Sequence, residues 1–345
     1  MSAAKNRPAK PATARAGRPA SAKPRRDRAD PPQRGRKRPP TRDSRPAATA
    51  EAVDEIVVGY VPSLARAAGI LGVVCAVGLL VRPLLPLATA GGHRLGTGST
   101  LVLALPWLPA ALVVGFAGGL AATGRLPRLA LGVLGSAGGL SIGLLLRWIW
   151  LTDTGARTVL DLPVSGQPLQ GDRYGAGAGL WFAVVTAAVL VAALIAVAAS
   201  WSSTVMDDDG RFDRVRPTLA LWSLFVGAVV AVAYGAAPSN SSLGIARSVL
   251  QSAGLDRIGG LVLVAAIVVC CVVAPTARPR LATTGTLLGA AVMLFGLGFE
   301  NLVVVAGSPD LHASFGTVAE VVAPLLVLML VAASVLAARE PEQDH

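Results

Sequence analysis

The sequence predicts an all-α membrane protein, a polytopic bundle of about eight transmembrane helices behind a disordered N-terminal tail. Three observations predict it. From about Leu64 to Ala338 the chain is almost wholly apolar, cut by short loops into eight stretches of roughly the 20 residues that cross about 30 Å of hydrocarbon. Hydrophobic residues make up 53% of the 345 and charged ones only 15%, which excludes an ordinary soluble domain. Charge is also segregated: residues 1–50 hold 15 of the 31 Lys and Arg against three Asp, so the tail carries +12 and the rest −1, for a net +11.

The tail, residues 1–50, is rich in Pro, Ala, Ser and Arg and has almost nothing with which to build a core. It is expected to be disordered. The first apolar segment starts only after about sixty residues, too late for a cleavable signal peptide, so the tail is expected to stay attached. Residues 51–62 form a juxtamembrane segment that alternates polar and apolar residues and ends on Pro62, tolerated at a helix start. The transmembrane bundle occupies 63–338, with spans near 63–81, 99–122, 128–150, 178–201, 218–237, 258–274, 281–305 and 316–338, and 339–345 is a short C-terminus. Pro106 and Pro109 should kink the second span.

Orientation follows from arginine in the links. Arg125 and Arg128, then Arg211, Arg214 and Arg216, then Arg278 and Arg280 share one side with the basic tail, which assigns that side and both termini to the cytoplasm. Arg82, Arg94, Arg147, Arg157, Arg173, Arg247 and Arg257 fall on the opposite side, against the rule. Trp148 and Trp150 close the third span in a composition typical of a headgroup-level belt. The Ala, Val, Gly and Arg richness suits a high-GC bacterial genome, so the expected location is a bacterial cytoplasmic membrane. Of the outer links, 238–257 carries an amphipathic segment, SSLGIARSVLQSAG, expected to form a surface helix that stops at Gly254.

Small residues at four-residue spacing mark packing faces: Gly115 and Gly119, Gly135, Gly139 and Gly143, Gly227, Ala231 and Gly235, Gly285 and Gly289. Close backbone approach matters because hydrophobicity gives no drive for association inside lipid. These faces are expected to pack within the chain, with a membrane-protein partner or a second copy as the alternative. RLGTGSTLVLA (94–104) and RLATTGTLLGA (280–290) share several letters, but the spans they open run in opposite directions, so the likeness reads as coincidence and not as an internal duplication.

Intramembrane ionisable groups are the best functional pointer in such a chain. Glu300 and Asn301 lie near the outer end of the seventh span and Glu320 at similar depth in the eighth, joined by a link that holds Asp310 and His312, with Arg147 on the third span as the available counter-charge. Together they define a candidate outer polar pocket for a cation, a proton or a lipid headgroup. The plainer expectation, and the favoured one, is that both carboxylates reach interfacial water while Arg147 snorkels. No catalytic set is complete. His93, His312 and His345 are too few and scattered for haem or zinc, Cys75, Cys270 and Cys271 read as packing residues, and GAGAG at 175–179 lacks the strand and lysine of a phosphate cradle. No cofactor and no metal are therefore expected. DDDGRFDRVRP at 207–217 reads as a solvated link.

The expected partners are the bilayer itself and, through the basic tail, anionic lipid or an acidic protein; nucleic acid is disfavoured because no aromatics are interleaved to stack on bases. Sparse intramembrane polarity, many packing faces and an appended tail favour a scaffold or accessory subunit of a cell-envelope complex. A transporter or lipid-handling permease using the outer pocket is the alternative, and an enzyme acting through the outer-loop aspartates ranks last.

Overall fold

The computed structural model describes residues 61–90, 93–95, 100–154, 174–204, 215–237, 239–241, 248–277, 280–307 and 311–336. The tail, most of the juxtamembrane segment, Asp310, the acidic part of the 207–217 link, residues 242–247 of the amphipathic segment and 337–345 lie outside them.

Eight apolar helical spans are present, each long enough to cross a membrane. The first is α1 (Ser63–Val81), continued by a 3₁₀ turn at Arg82–Leu84, where Pro83 withholds a backbone donor. The second is broken: α2 (Thr100–Ala104), a 3₁₀ turn at Leu105–Trp107 and α3 (Leu108–Thr123). Pro106 lies within that break and Pro109 in the first turn of α3 after it, where their missing N–H groups are tolerated. The others are α4 (Pro127–Leu151), α5 (Ala178–Trp201), α6 (Arg216–Gly235), α7 (Gly254–Val273), α8 (Arg280–Gly307) and α9 (Phe315–Leu336). Most begin and end within a turn of the apolar stretches in the sequence.

Short strands cap one end of the bundle, here termed the ribbon end. β1 (Ala88–Ala90) pairs antiparallel with β2 (His93–Leu95) and with β3 (Gly175–Ala176), and β4 (Ser239–Ser241) pairs with β5 (Leu311–Ala313). The glycines at 175–179 serve this pairing: a side chain on Gly177 would collide with the backbone of Pro86 and Leu87. The expected surface helix is not formed where the chain is described. Ser248–Ser252 make a turn, Ala253 is extended, and Gly254 at φ +59 opens α7 instead of ending a helix.

The second half of the bundle repeats the first. α1 packs on α3 and α5, and α4 on α5; correspondingly α6 packs on α7 and α9, and α8 on α9. In the first half the ribbon strand of the link after span one pairs with the strand before span four, and in the second half the link after span five pairs likewise with the strand before span eight. Burial repeats residue by residue. α9 buries Gly316, Thr317, Glu320, Ala323, Pro324, Val327, Leu330 and Ser334, and α5 buries Gly179, Leu180, Ala183, Thr186, Ala187, Leu190, Ala193 and Val197 at the same spacing. The buried set of α6, from Leu219 to Tyr234, likewise falls on buried Ala68, Gly72, Cys75, Ala76, Leu79, Arg82 and Pro83.

The two halves meet as across a two-fold axis running along the bundle. α4 and α8 are equivalent helices packed on each other, and their contacts are reciprocal: a methyl on Gly132 would meet the carbonyl oxygen of Ala282, and one on Gly285 that of Leu129. Aligned in this register, Gly132, Leu134, Ala137, Gly143 and Leu144 correspond to the identical residues Gly285, Leu287, Ala290, Gly296 and Leu297. The peptides compared in the sequence belong to spans two and seven, which are not equivalent, so that likeness stays coincidental. The repeat lies between spans one to four and spans five to eight, and its lipid-facing residues have diverged because any apolar side chain serves there.

The packing faces divide accordingly. Gly143, Gly227, Gly285 and Gly289 each meet a neighbouring helix so closely that an added methyl would collide, and Gly115 lies tight against Ala76. Gly135 makes only ordinary contact with Val197, whereas Gly119, Gly139 and Gly235 face open space. For those three, close intramolecular packing is not the reason for glycine. Large apolar residues such as Ile70, Phe116, Val185, Ile195, Leu221, Trp222 and Met329 form the exposed, lipid-facing surface.

Candidate functional site

The described carboxylates of the bundle, Asp153, Asp256, Glu300 and Glu320, all lie toward the ribbon end. Arg82 stands in the 3₁₀ turn that ends span one, and its Nη2 lies 2.5 Å from Glu300 Oε1 on α8. The second carboxylate oxygen accepts a hydrogen bond from Trp107 Nε1 at 3.0 Å. The proline-bounded break in span two sets Trp107, fully buried, at this position. The Arg82 guanidinium also lies 5.1 Å from the Trp107 ring and 4.5 Å from that of Trp148. A planar, weakly hydrated cation suits such a sandwich, in which indole quadrupoles and one carboxylate replace water. Trp148 is therefore an interior residue and not a member of a headgroup belt.

Beneath the pair lies a cavity of about 20 Å³, large enough for one water, lined by Arg82, Trp107, Trp148, Ser141, Thr186, Met293 and apolar neighbours. Cys75, like Cys270 and Cys271, is a buried free thiol, and its Sγ donates to the Thr186 carbonyl at 3.8 Å.

The expected pocket residues are distributed over three groups. Glu300 joins Arg82 and Trp107, as above. Arg147 is instead ion-paired with Asp256, Nε to Oδ1 at 2.8 Å, with Asp256 in the first turn of α7 where the helix dipole favours an anion. Glu320, only 3% exposed, accepts a hydrogen bond from Asn301 Nδ2 at 2.7 Å. Next to it the buried Tyr234 hydroxyl donates to the Leu294 carbonyl at 2.6 Å and reaches the Glu320 carbonyl at 3.4 Å. His312 is exposed on β5, paired with Asn240 of β4, and Asp310 lies outside the described residues. The structure thus joins Asn301 to Glu320, and assigns Glu300 and Arg147 to separate ion pairs.

Arg82, Trp107, Tyr234 and Asp256 were not singled out in the sequence as members of the site. The available signals were an arginine followed at once by Pro83 at the end of an apolar span, and a tryptophan bracketed by Pro106 and Pro109. At the opposite end Arg128 is also buried, over the Trp201 ring at 5.0 Å and donating to the Thr204 carbonyl, so this link arginine fastens span three to span four.

Among the described residues no group of three or more His, Cys, Asp or Glu is arranged to hold a metal ion. Comparison with protein-family models, with curated proteins and with solved structures returned no match for this chain.

Proposed function

We propose that this chain is a multispan scaffold or accessory subunit of a cell-envelope membrane complex, embedded in a bacterial cytoplasmic membrane with both termini on the cytoplasmic side. One observation carries the reading: the ion pairs of the ribbon end link one half of the bundle to the other. Arg82 of span one holds Glu300 of span seven, and Arg147 of span three holds Asp256 of span six. Charges that satisfy each other serve to fix the bundle, and a rigid bundle presents constant surfaces to a partner. The arginines of the Arg125 and Arg280 links, on the side of the basic tail, support the orientation. The tail is suited to hold anionic lipid or an acidic partner, at about 1 kcal/mol for each basic residue near the surface.

A permease reading draws on a different observation, the water-sized cavity lined by Arg82, Ser141 and Thr186 beside the broken second span. Broken helices beside polar groups are where carriers bind substrate. Purification with crosslinking and mass spectrometry, on wild type and on Glu300→Gln and Glu320→Gln variants, separates the two. The scaffold reading expects a stoichiometric partner retained in both variants. Loss of uptake, export or lipid turnover in variants that still express and fold would overturn it in favour of the permease.

A further inference from the structure

We infer that Glu320 is a proton-binding carboxyl within the bilayer, the second half's counterpart of the arginine-lined cavity in the first. Glu320 lies five residues into α9, about 7.5 Å below its start at 1.5 Å per residue, and is 3% exposed. Unlike Arg82, Glu300, Arg147 and Asp256, it makes no ion pair among the described residues; its contact is the neutral amide of Asn301. The surrounding polar groups are otherwise engaged. On α8 the neighbouring Glu300 has both oxygens occupied by Arg82 and Trp107. On α6 the Tyr234 hydroxyl is turned to the Leu294 carbonyl, and on the ribbon His312 is exposed. On α4 Arg147 is paired with Asp256.

An ionised carboxylate in hydrocarbon with no cation in contact is costly, and one proton removes the cost by converting the carboxylate to the neutral acid. A metal cation would require several converging oxygens, whereas Asn301 directs its N–H at the carboxylate. The repeat supplies independent support. Glu320 and Asn301 occupy the positions of Ala183 and Trp148, and those two residues line the Arg82 cavity of the first half. Each half therefore places its polar centre at the same point, cationic in one and acidic in the other. The inference goes beyond the scaffold reading and stands whichever way the partner experiment falls.

The test is pH-difference infrared spectroscopy on the full-length protein in lipid bilayers, titrated from about pH 4 to about pH 10 to span the range of shifted carboxyls. A protonated-carboxyl C=O stretch that vanishes as pH rises is expected, with complete loss of that band in Glu320→Gln. Should the Gln variant fail to fold, Asn301→Leu keeps the carboxyl, and the band should persist with a displaced midpoint. Absence of the band in wild type, its survival in Glu320→Gln, or an unmoved midpoint in Asn301→Leu would each overturn the inference.

Discussion

At the residue scale, Arg82 has three partners at once: one carboxylate and two indole faces. Removing one member of a buried pair strands the other's charge, at a cost of about 3–5 kcal/mol, whereas replacing both with uncharged residues of similar size leaves no charge stranded. Arg82→Met is therefore expected to destabilise the protein by that amount, and Arg82→Met with Glu300→Gln by much less. All three cysteines are buried, so their reaction with a thiol-sensitive dye during heating reports unfolding directly. Equal losses in the single and double variants would show that the pair is not what holds Glu300. The sequence marked Glu300 and Glu320 because any carboxylate within an apolar run stands out. Its counter-charge was not legible: Arg82 and Glu300 lie in the first and seventh spans, and only the packing of the bundle brings them together.

At the element scale, one residue type serves opposite ends. Gly285 sits where α8 crosses α4, against the Leu129 backbone, while Gly139 faces open space. Gly285→Ala must push two helix backbones apart and is expected to cost about 1–3 kcal/mol. Gly139→Ala has room and should be neutral or slightly stabilising, because alanine is the better helix former. Thermal unfolding of the two variants with the same thiol dye checks the contrast; similar losses would mean that Gly139 is covered in the assembled protein. Four-residue spacing identified helices with small faces but not which face meets which neighbour, since α4 uses Gly132 toward α8, Gly138 toward α5 and Gly143 toward α7. The break in span two, by contrast, was legible from Pro106 and Pro109 alone, because a missing backbone donor is a local property.

At the scale of the whole molecule, an even number of crossings returns the chain to its starting side. Epitope tags at the two ends are expected on the same face in protease-protection assays on oriented membranes; tags on opposite faces would remove one span from the count. The tail's excess charge makes a separate expectation. Deleting residues 2–50 should abolish a salt-sensitive component of binding to anionic vesicles, a component that weakens as the Debye length shrinks toward about 8 Å at physiological salt. Binding insensitive to salt would reject an electrostatic role. The duplication belongs to this scale too. Its two ion pairs, Arg82 with Glu300 and Arg147 with Asp256, both cross between halves, and Arg147 and Glu300 occupy equivalent positions with opposite charge.

The sequence by itself determined the solvent, the number of crossings, the approximate ends of each helix and the break in the second. These are set by local quantities: runs of apolar residues, missing backbone donors and the length needed to cross hydrocarbon. Only the tertiary structure decided which charges pair, which glycines are needed, and that the chain is built twice. Those depend on contacts between distant spans, and lipid, which accepts any apolar side chain, lets the sequence record of the repeat fade on the outer faces while identical residues persist between α4 and α8, among them Gly132 and Gly285, where backbone meets backbone.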